Sequence, residues 1–464
     1  MFERYHVPIK TVAGRATPIP KFVITRADNC VNCGKCEKAC IYGVHKRSEQ
    51  DPRKMADPIN ELCKNCFRCI QDCPQRSLSM SPGPEYRALG RGVWTSLRML
   101  TIYGEAETGK IPVLGAGYRG AFAGSGYDGM WTDMSEIVRP TRDGIHGREY
   151  ISTSVDIGRK PGRLKFNSDG RLMTSLQSVF ELPIPMIMDV ARMRTLGPSL
   201  LEGFARAANS LGSLLLVRAG TLMPDGLVGR TSQIVMVQPE GTDVESMSLP
   251  DDARMAELTY TDSWRKDARA FRSRFPKTVL SFRISATKGV ERRIAEMATA
   301  GVDVVDVLYD EEGLELGDGD RHSKDSLKAI HKAMVEKSIR DEITVIAGGG
   351  IAAAEHVPKT IICGADVVTL SRALMVALEC RNHITCSEGS CPINVKSASP
   401  GWVEGRVENL VGAWRDQLLE VLGAMGLREV RRLRGELGRA IFYEDVEREA
   451  FSEIEGGEAD GKAQ

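Results

Sequence analysis

Residues 343–372 read ITVIAGGGIAAAEHVPKTIICGADVVTLSR, and this stretch decides the fold. It opens on an apolar run, Ile343–Ala347, breaks at Gly348-Gly349-Gly350 and continues as a helical stretch. A second run, Asp366–Leu370, ends at Ser371-Arg372 before another helix. Strands buried on both faces read as short, near-continuous apolar runs of this kind. Similar runs stand upstream at Ile184–Asp189, Ser213–Val217, Gln233–Val237, Val279–Ile284 and Val302–Leu308. Helical stretches fit between several of them, among them Glu291–Ala300 and Lys324–Glu336. Alternating strand and helix over this length predicts an α/β fold, a (β/α)8 TIM barrel with one strand hidden from the pattern. An open doubly wound sheet is the alternative.

The last two strand ends also carry chemistry. In many barrels these loops bind phosphate through backbone N–H groups and a helix N-terminus. Gly348, Gly349 and Gly350 would let the backbone approach an anion, and Ser371 and Arg372 would supply a hydroxyl and a guanidinium fork. A glycine turn with no ligand is the plainer alternative. A phosphorylated flavin is the natural occupant, because it exchanges electrons singly with clusters and in pairs with a substrate. Gly115-Ala116-Gly117-Tyr118-Arg119-Gly120 satisfies G-x-G-x-x-G, but AFAGSGYDG follows it where a helix should, so a tight glycine loop is the better reading.

Near the start stand two cysteine quartets of identical spacing, Cys30-x2-Cys33-x2-Cys36-x3-Cys40 and Cys63-x2-Cys66-x2-Cys69-x3-Cys73-Pro74. This is the spacing of two-cluster ferredoxins, in which three cysteines hold one 4Fe–4S cluster and the fourth turns to the other. One cluster is assigned to Cys30, Cys33, Cys36 and Cys73, the other to Cys63, Cys66, Cys69 and Cys40. Zinc, which favours paired CxxC motifs, fits a repeated quartet poorly. Ile41 replaces the proline that normally follows such a quartet. A third group, Cys380-x5-Cys386-x4-Cys391-Pro392, has the three thiols a 3Fe–4S centre needs; zinc with His383 as fourth ligand is the alternative. Cys363, in an apolar run, reads as a buried inert thiol.

The bulk numbers bound the rest. Lys plus Arg equals Asp plus Glu at 62 each, which argues against a nucleic-acid-binding surface. No apolar run approaches a membrane span, and the start, MFERYHVPIK, lacks the features of a signal peptide. Twelve cysteines without such a signal read as metal ligands in a reducing cytoplasm. Three segments are expected: a small N-terminal ferredoxin-like α+β iron–sulfur domain over 1–85, the barrel with an N-terminal wrapping segment over 86–405, and a helical C-terminal extension over 406–464. In that extension helical spacing runs from Val407 to Leu422 and again from Val430 to Ile441, before a disordered tail from Glu455.

The cysteine triplet, the Gly348–Gly350 loop and the Gly364-Ala365-Asp366 strand together resemble the flavin-binding domain of glutamate synthases. The form most similar is the archaeal type, in which a ferredoxin domain with two 4Fe–4S clusters precedes the barrel. The resemblance runs from about residue 25 to about residue 445. It implies an FMN-binding barrel, a 3Fe–4S centre near the flavin, and reductive amination of 2-oxoglutarate to glutamate. Gln238, ending IVMVQ, resembles a family glutamine near the flavin. Arg283, in LSFRIS, stands where a V-S-V-K-L-V strand carries a lysine; its charge would stabilise an anionic reduced flavin. Where S-G-H-D-G-G-T-G-A-S is typical, this chain has YDEEGLELGDGDRHSKDS, residues 309–326. Asp310, Glu311 and Glu312 would repel a dicarboxylate unless Arg321, His322 or Lys324 compensates. Arg321 and His322 are the candidates for binding a substrate carboxylate or moving a proton, with a plain surface histidine as the alternative.

Two functions follow. One is a glutamate synthase-like oxidoreductase acting on CH–NH2 donors, fed by a ferredoxin or an NAD(P)H-dependent reductase subunit, with an ammonia- or amine-supplying subunit as a further partner. The other is an electron-transfer subunit of a larger redox complex without a dicarboxylate substrate. A related option is a transferase-like synthase acting on an amine and a keto acid or glutamate.

Overall fold

In this computed structural model, residues 5–111, 124–132, 151–174, 178–193, 196–221, 231–317, 319–381 and 395–451 are described. Contacts divide the chain into two compact units. One holds Met1–Val12, Thr101–Leu378 and Asn394–Gln464; the other holds Ala13–Leu100 and Glu379–Ile393.

In the larger unit the apolar runs form strands β1 (Met186–Asp189), β2 (Leu215–Arg218), β3 (Ile234–Gln238), β4 (Met255–Thr259), β5 (Val279–Ser285), β6 (Val304–Leu308), β7 (Thr344–Gly348) and β8 (Val367–Leu370). Each pairs in parallel with its sequence neighbours, and β8 returns to pair with β1. The result is the closed eight-stranded barrel that the spacing predicted. The hidden strand is β4, MAELT, which carries Glu257 at its centre.

Helices α1 (Pro198–Ser210), α2 (Trp264–Arg274), α3 (Val290–Thr299), α4 (Ser323–Glu336) and α5 (His356–Ile362) connect successive strands, and α6 (Arg372–Ala377) follows β8. Side chains alternate along a strand, so one contact fixes the facing of the rest. Phe282 of β5 meets Trp264 of α2 edge-on at 6.2 Å between ring centres, in the helix layer. Arg283 therefore points into the barrel. At the opposite end from the loops of interest, Gly158 N–H donates to Thr344 Oγ1 (3.1 Å) at the start of β7. Gly158 belongs to an antiparallel hairpin of Val155–Gly158 with Val179–Leu182.

The long helix α7 (Pro400–Ala424) covers the helical spacing seen from Val407 to Leu422 and buries Trp414 completely. The second expected helical stretch, Val430–Ile441, is instead two short 3-10 turns, Val430–Arg432 and Leu437–Arg439, running into a strand, Ala440–Phe442. Gly435, in the left-handed region at φ 73°, breaks the helical path between them. The expected disordered tail and the Gly115–Gly120 loop lie outside the described residues.

The smaller unit pairs Phe22–Arg26 antiparallel with Leu78–Pro82 around a core of Ile24, Val44, Cys69 and Leu78. Its cysteine quartets repeat in backbone as well as in sequence. Asn32 and Asn65 hold φ of 55° and 60°, and Gly34 and Phe67 hold 71° and 61°. Each left-handed pair leads into one short helix, Lys35–Ala39 or Arg68–Gln71.

The α1–α7 interface yields a prediction with a reversed sign. Alanine in a helix interior ordinarily gains about 1 kcal/mol over glycine. A Cβ on Gly203 would stand 2.5 Å from Val403 Cβ and 2.8 Å from the Pro400 carbonyl. Overpacking of this kind costs about 1–3 kcal/mol. Gly203→Ala is expected to lower the melting temperature. A rise in melting temperature for the single variant would refute the tight crossing.

Candidate functional site

Because all eight strands are parallel, their C-terminal ends share one rim. Gln238 ends β3, Arg283 lies near the end of β5, Gly348–Gly350 follow β7, and Ser371-Arg372 follow β8. Gln238 and Arg283 flank β4 at one height, registered against Leu258 and Thr259, and Thr259 Oγ1 donates to the Gln238 carbonyl at 2.7 Å. The fold thus gathers the expected flavin-facing residues at one mouth.

Arg283 is not alone there. Its guanidinium lies 3.1 Å from Asp189 Oδ2, 2.6 Å from Glu257 Oε1 and 3.1 Å from Asp306 Oδ2, on β1, β4 and β6. The attraction is chiefly of charge, with hydrogen bonding from Arg283 to Glu257 and Asp306 adding to it. Glu257 also accepts from Ser281 Oγ at 2.9 Å. Burial, reinforced by the like charges of Asp306 and Asp189 and opposed by Arg283, pushes the Glu257 carboxyl up to about 8. Burial and Asp189 push Asp306 up as well, against the pull of Arg283. Arg283 itself is raised, the three carboxylates outweighing its desolvation.

The three glycines are demanded by packing. A Cβ on Gly348 would collide with Thr369 Oγ1; one on Gly349 (φ 133°) would meet the Asp310 carbonyl at 2.5 Å. One on Gly350 (φ 67°) would meet Gly313 Cα at 2.6 Å. The turn after β7 is therefore seated against the loop after β6, and His356 Nδ1 sits 3.1 Å from the Gly350 carbonyl. Ser371 precedes α6 and makes no capping bond to it. Arg372 is ion-paired with Glu311.

Within 309–326 the charges are largely used internally. Asp310 Oδ1 accepts the N–H groups of Glu312 (2.9 Å) and Leu314 (2.8 Å). Arg321 pairs with Glu315 and Glu291, both at 3.6 Å, and buried Lys324 pairs with Glu444. His322 caps α4, its Nδ1 accepting the Lys324 N–H at 3.1 Å, with Tyr127 edge-on to its ring. Burial first, then the neighbouring His356, depresses His322 to about 4, so it is neutral at pH 7.

In the smaller unit, Cys40, Cys63, Cys66 and Cys69 line one cavity with Ile24, Val44 and Phe67. Burial and then the thiols of Cys63, Cys40 and Cys66 push Cys69 up to about 11, which places the four within electrostatic reach of one another. Cys73 is lowered: N–H groups of Ser77, Gln75 and Leu78 point at its sulfur and outweigh desolvation. Among the described residues no three Cys, His or carboxylate groups converge tightly enough for a single metal ion. A cubane spaces its thiolates wider, and the donor set of the cavity, four thiols in apolar surroundings, fits one. Cys380 is buried, and its neighbour Glu379 accepts the N–H groups of Arg15 and Ala16. Cys386, Cys391 and His383 lie outside the described residues. Cys363 is fully buried, its thiol pushed up to about 12 by desolvation, as an inert cysteine should be.

Asp189, Glu257, Asp306 and His356 were missed from sequence. A signal existed for three of them: an acid in or ending an apolar strand (MIMD, MAELT, VVDVL) must face a barrel interior and needs a cation there.

A closed parallel barrel bearing amide, arginine and glycine groups at its C-terminal rim, in one chain with a two-quartet cysteine unit, defines an oxidoreductase of the TIM-barrel class. Residues 269–428 match the family model described as a conserved region in glutamate synthase. The chain is 25% identical to an archaeal glutamate synthase (NADPH) of Archaeoglobus fulgidus, over 95% of this chain and 98% of that one. It is 24% identical to an archaeal-type glutamate synthase (NADPH) of Thermotoga maritima, over 97% and 100%. A ferredoxin of Pyrobaculum islandicum is 29% identical over 72 residues, 16% of this chain and 64% of its own. Over nearly its whole length the chain is thus similar to glutamate synthases of the archaeal type. No helix among the described residues is long and apolar enough to cross a membrane.

The raised Glu257 carboxyl predicts a pH dependence. The folded protein holds this proton more tightly than an exposed glutamate of pKa 4.5 would. Its contribution is therefore fully present below about pH 4.5 and lost as pH rises through about 8. Glu257→Gln should flatten the fall in unfolding free energy between pH 5 and pH 8.5, by an amount on the order of a few kcal/mol. Parallel curves for variant and wild type would sink this assignment.

Proposed function

We propose that the chain is an iron–sulfur flavoprotein in which two 4Fe–4S clusters and a 3Fe–4S centre exchange electrons with FMN at the barrel mouth, where a small substrate is reduced. The observation that carries this reading is the shared rim: Gln238, Arg283, Gly348–Gly350, Ser371 and Arg372 stand at the ends of parallel strands. The donor set suits a phosphorylated flavin, with glycine backbone, a hydroxyl free of capping and a guanidinium for the phosphate, and an amide and Arg283 for the ring. FMN supplies the step between single-electron and pair transfer. Similarity to the archaeal-type synthases makes 2-oxoglutarate and ammonia, with glutamate as product, the first substrates to test. The NADPH dependence of those synthases makes an NADPH-linked reductase or a ferredoxin the expected electron source. The domain division expected from sequence, 1–85, 86–405 and 406–464, is retained as the division of labour. A reducing cytoplasm is the compartment that suits thiol-ligated clusters.

His322 and Arg321 are assigned to holding the loop rather than to substrate, since one caps α4 and the other is paired with two glutamates. That observation favours a second reading. With Arg321 and Lys324 already paired and His322 neutral, the loop offers little to bind a dicarboxylate. The chain would then be an electron-transfer subunit handing charge to a partner enzyme.

Anaerobic reduction by dithionite, followed by 2-oxoglutarate plus ammonium, separates the two. Flavin reoxidation with glutamate formed is the outcome for a synthase; flavin that stays reduced assigns the chain to electron transfer. Flavin missing from the purified protein would overturn the barrel-mouth reading altogether.

Cys69→Ser and Cys36→Ser are each expected to lower bound iron by about one cluster's share while leaving the flavin in place. Unchanged iron in both would refute the ligand assignment.

A further inference from the structure

Arg283 read alone offers a cation to whatever lies at the mouth. Its surroundings remove that offer. Asp189, Glu257 and Asp306 reach it from three other strands at 3.1, 2.6 and 3.1 Å. The arginine side chain is 8% exposed and the three carboxylates 0%, so the guanidinium meets the mouth with the acids wholly enclosed. A second guanidinium, that of Arg192 after β1, donates to the Tyr309 carbonyl at 2.9 Å and lowers Asp306 electrostatically. Ser281 contributes a neutral hydroxyl to Glu257. The charged groups described around Arg283 are thus three carboxyls and two guanidiniums. With any two of the three carboxyls ionised the cluster is neutral, and with all three it is negative. No positive surplus remains.

We propose, resting on the FMN reading above, that this matched cluster holds the reduced flavin in its neutral, N1-protonated form rather than as the N1 anion. Reduction there takes two electrons, from the iron–sulfur clusters or from dithionite, and two protons, one to N5 and one to N1. A surplus cation beside the ring would favour the anion and spare the second proton. Arg283 instead serves as a positioned donor whose charge its three carboxylates cancel. This reverses the sign of the effect expected from the sequence.

The test is a redox titration of the flavin in the holoprotein as a function of pH, with Asp306→Asn and Asp189→Asn alongside. In the wild type the midpoint potential should fall with pH at the slope of two protons per two electrons through pH 8. With Glu257→Gln added, so that no third carboxyl can ionise in its place, each variant leaves one uncompensated guanidinium. It should raise the flavin potential and move the slope at pH 8 toward one proton per electron pair. A wild-type slope of one proton per pair overturns the proposal whether or not the variants fold. So do folded, flavin-loaded variants whose potentials stay put or fall. Protein purified without flavin overturns the reading beneath it, a result distinct from flavin present with the wrong slope.

Discussion

The enclosed meeting of Arg283 with Asp189, Glu257 and Asp306 is the constraint around which the barrel is built. Removing charges from water costs several kcal/mol per ion, and attraction repays it only when every charge has a counterpart. A guanidinium inside the barrel therefore obliges other strands to carry acids. Burial, reinforced by the neighbouring acids, is why Glu257 keeps its proton into the neutral range. Four of the eight strands are tied through this one group, so it sets their composition as well as their spacing.

A second dependency runs from that barrel to its rim. The loop after β6 and the turn after β7 are one packed object: Gly349 and Gly350 lie where any Cβ would strike Asp310 or Gly313. The loop's acids hold it in shape, Asp310 by closing a turn, Glu315 by meeting Arg321 and Ser326. Glu311 reaches Arg372 at the end of β8. An anion arriving there competes with Glu311 for the guanidinium. Any phosphate affinity of the rim would thus be coupled to the loop of residues 309–326.

Much of this was legible in the residues. Apolar runs located seven strands because parallel strands are covered on both faces. The eighth escaped because Glu257 interrupts it, and hydrophobic periodicity cannot distinguish an acid facing water from one facing a buried arginine. The quartet spacing led to the expectation that Cys40 stands with Cys63, Cys66 and Cys69, and the four line one cavity. The stretch Val430–Ile441 misled because its apolar residues recur at helical spacing while Gly435 and Gly438 remove the helix. Most instructive is Arg283. Its identity and position were plain, but its electrostatic meaning was not, since the three residues that cancel its charge stand 94, 26 and 23 positions away in sequence (283−189, 283−257, 306−283).

The smaller unit shows how strictly its backbone is specified. Both repeats place two left-handed residues ahead of a helical turn, and one repeat does so with Gly34, to which that conformation is free. The other uses Phe67 at φ 61°, where a side chain costs about 1–2 kcal/mol. Phe67 recovers part of that cost by stacking edge-on with Phe22 at 5.7 Å and by lining the cavity of its own quartet. A residue held against its preference is a sign that the curl of the loop matters more than its local comfort. The curl sets where Cys63, Cys66 and Cys69 point, and an aromatic ring shields the cavity from water as glycine could not. Shielding and hydrogen bonding at sulfur are the levers by which a protein sets a cluster's potential. If the quartets hold clusters as proposed, the two repeats, identical in spacing, would differ in how they shield them.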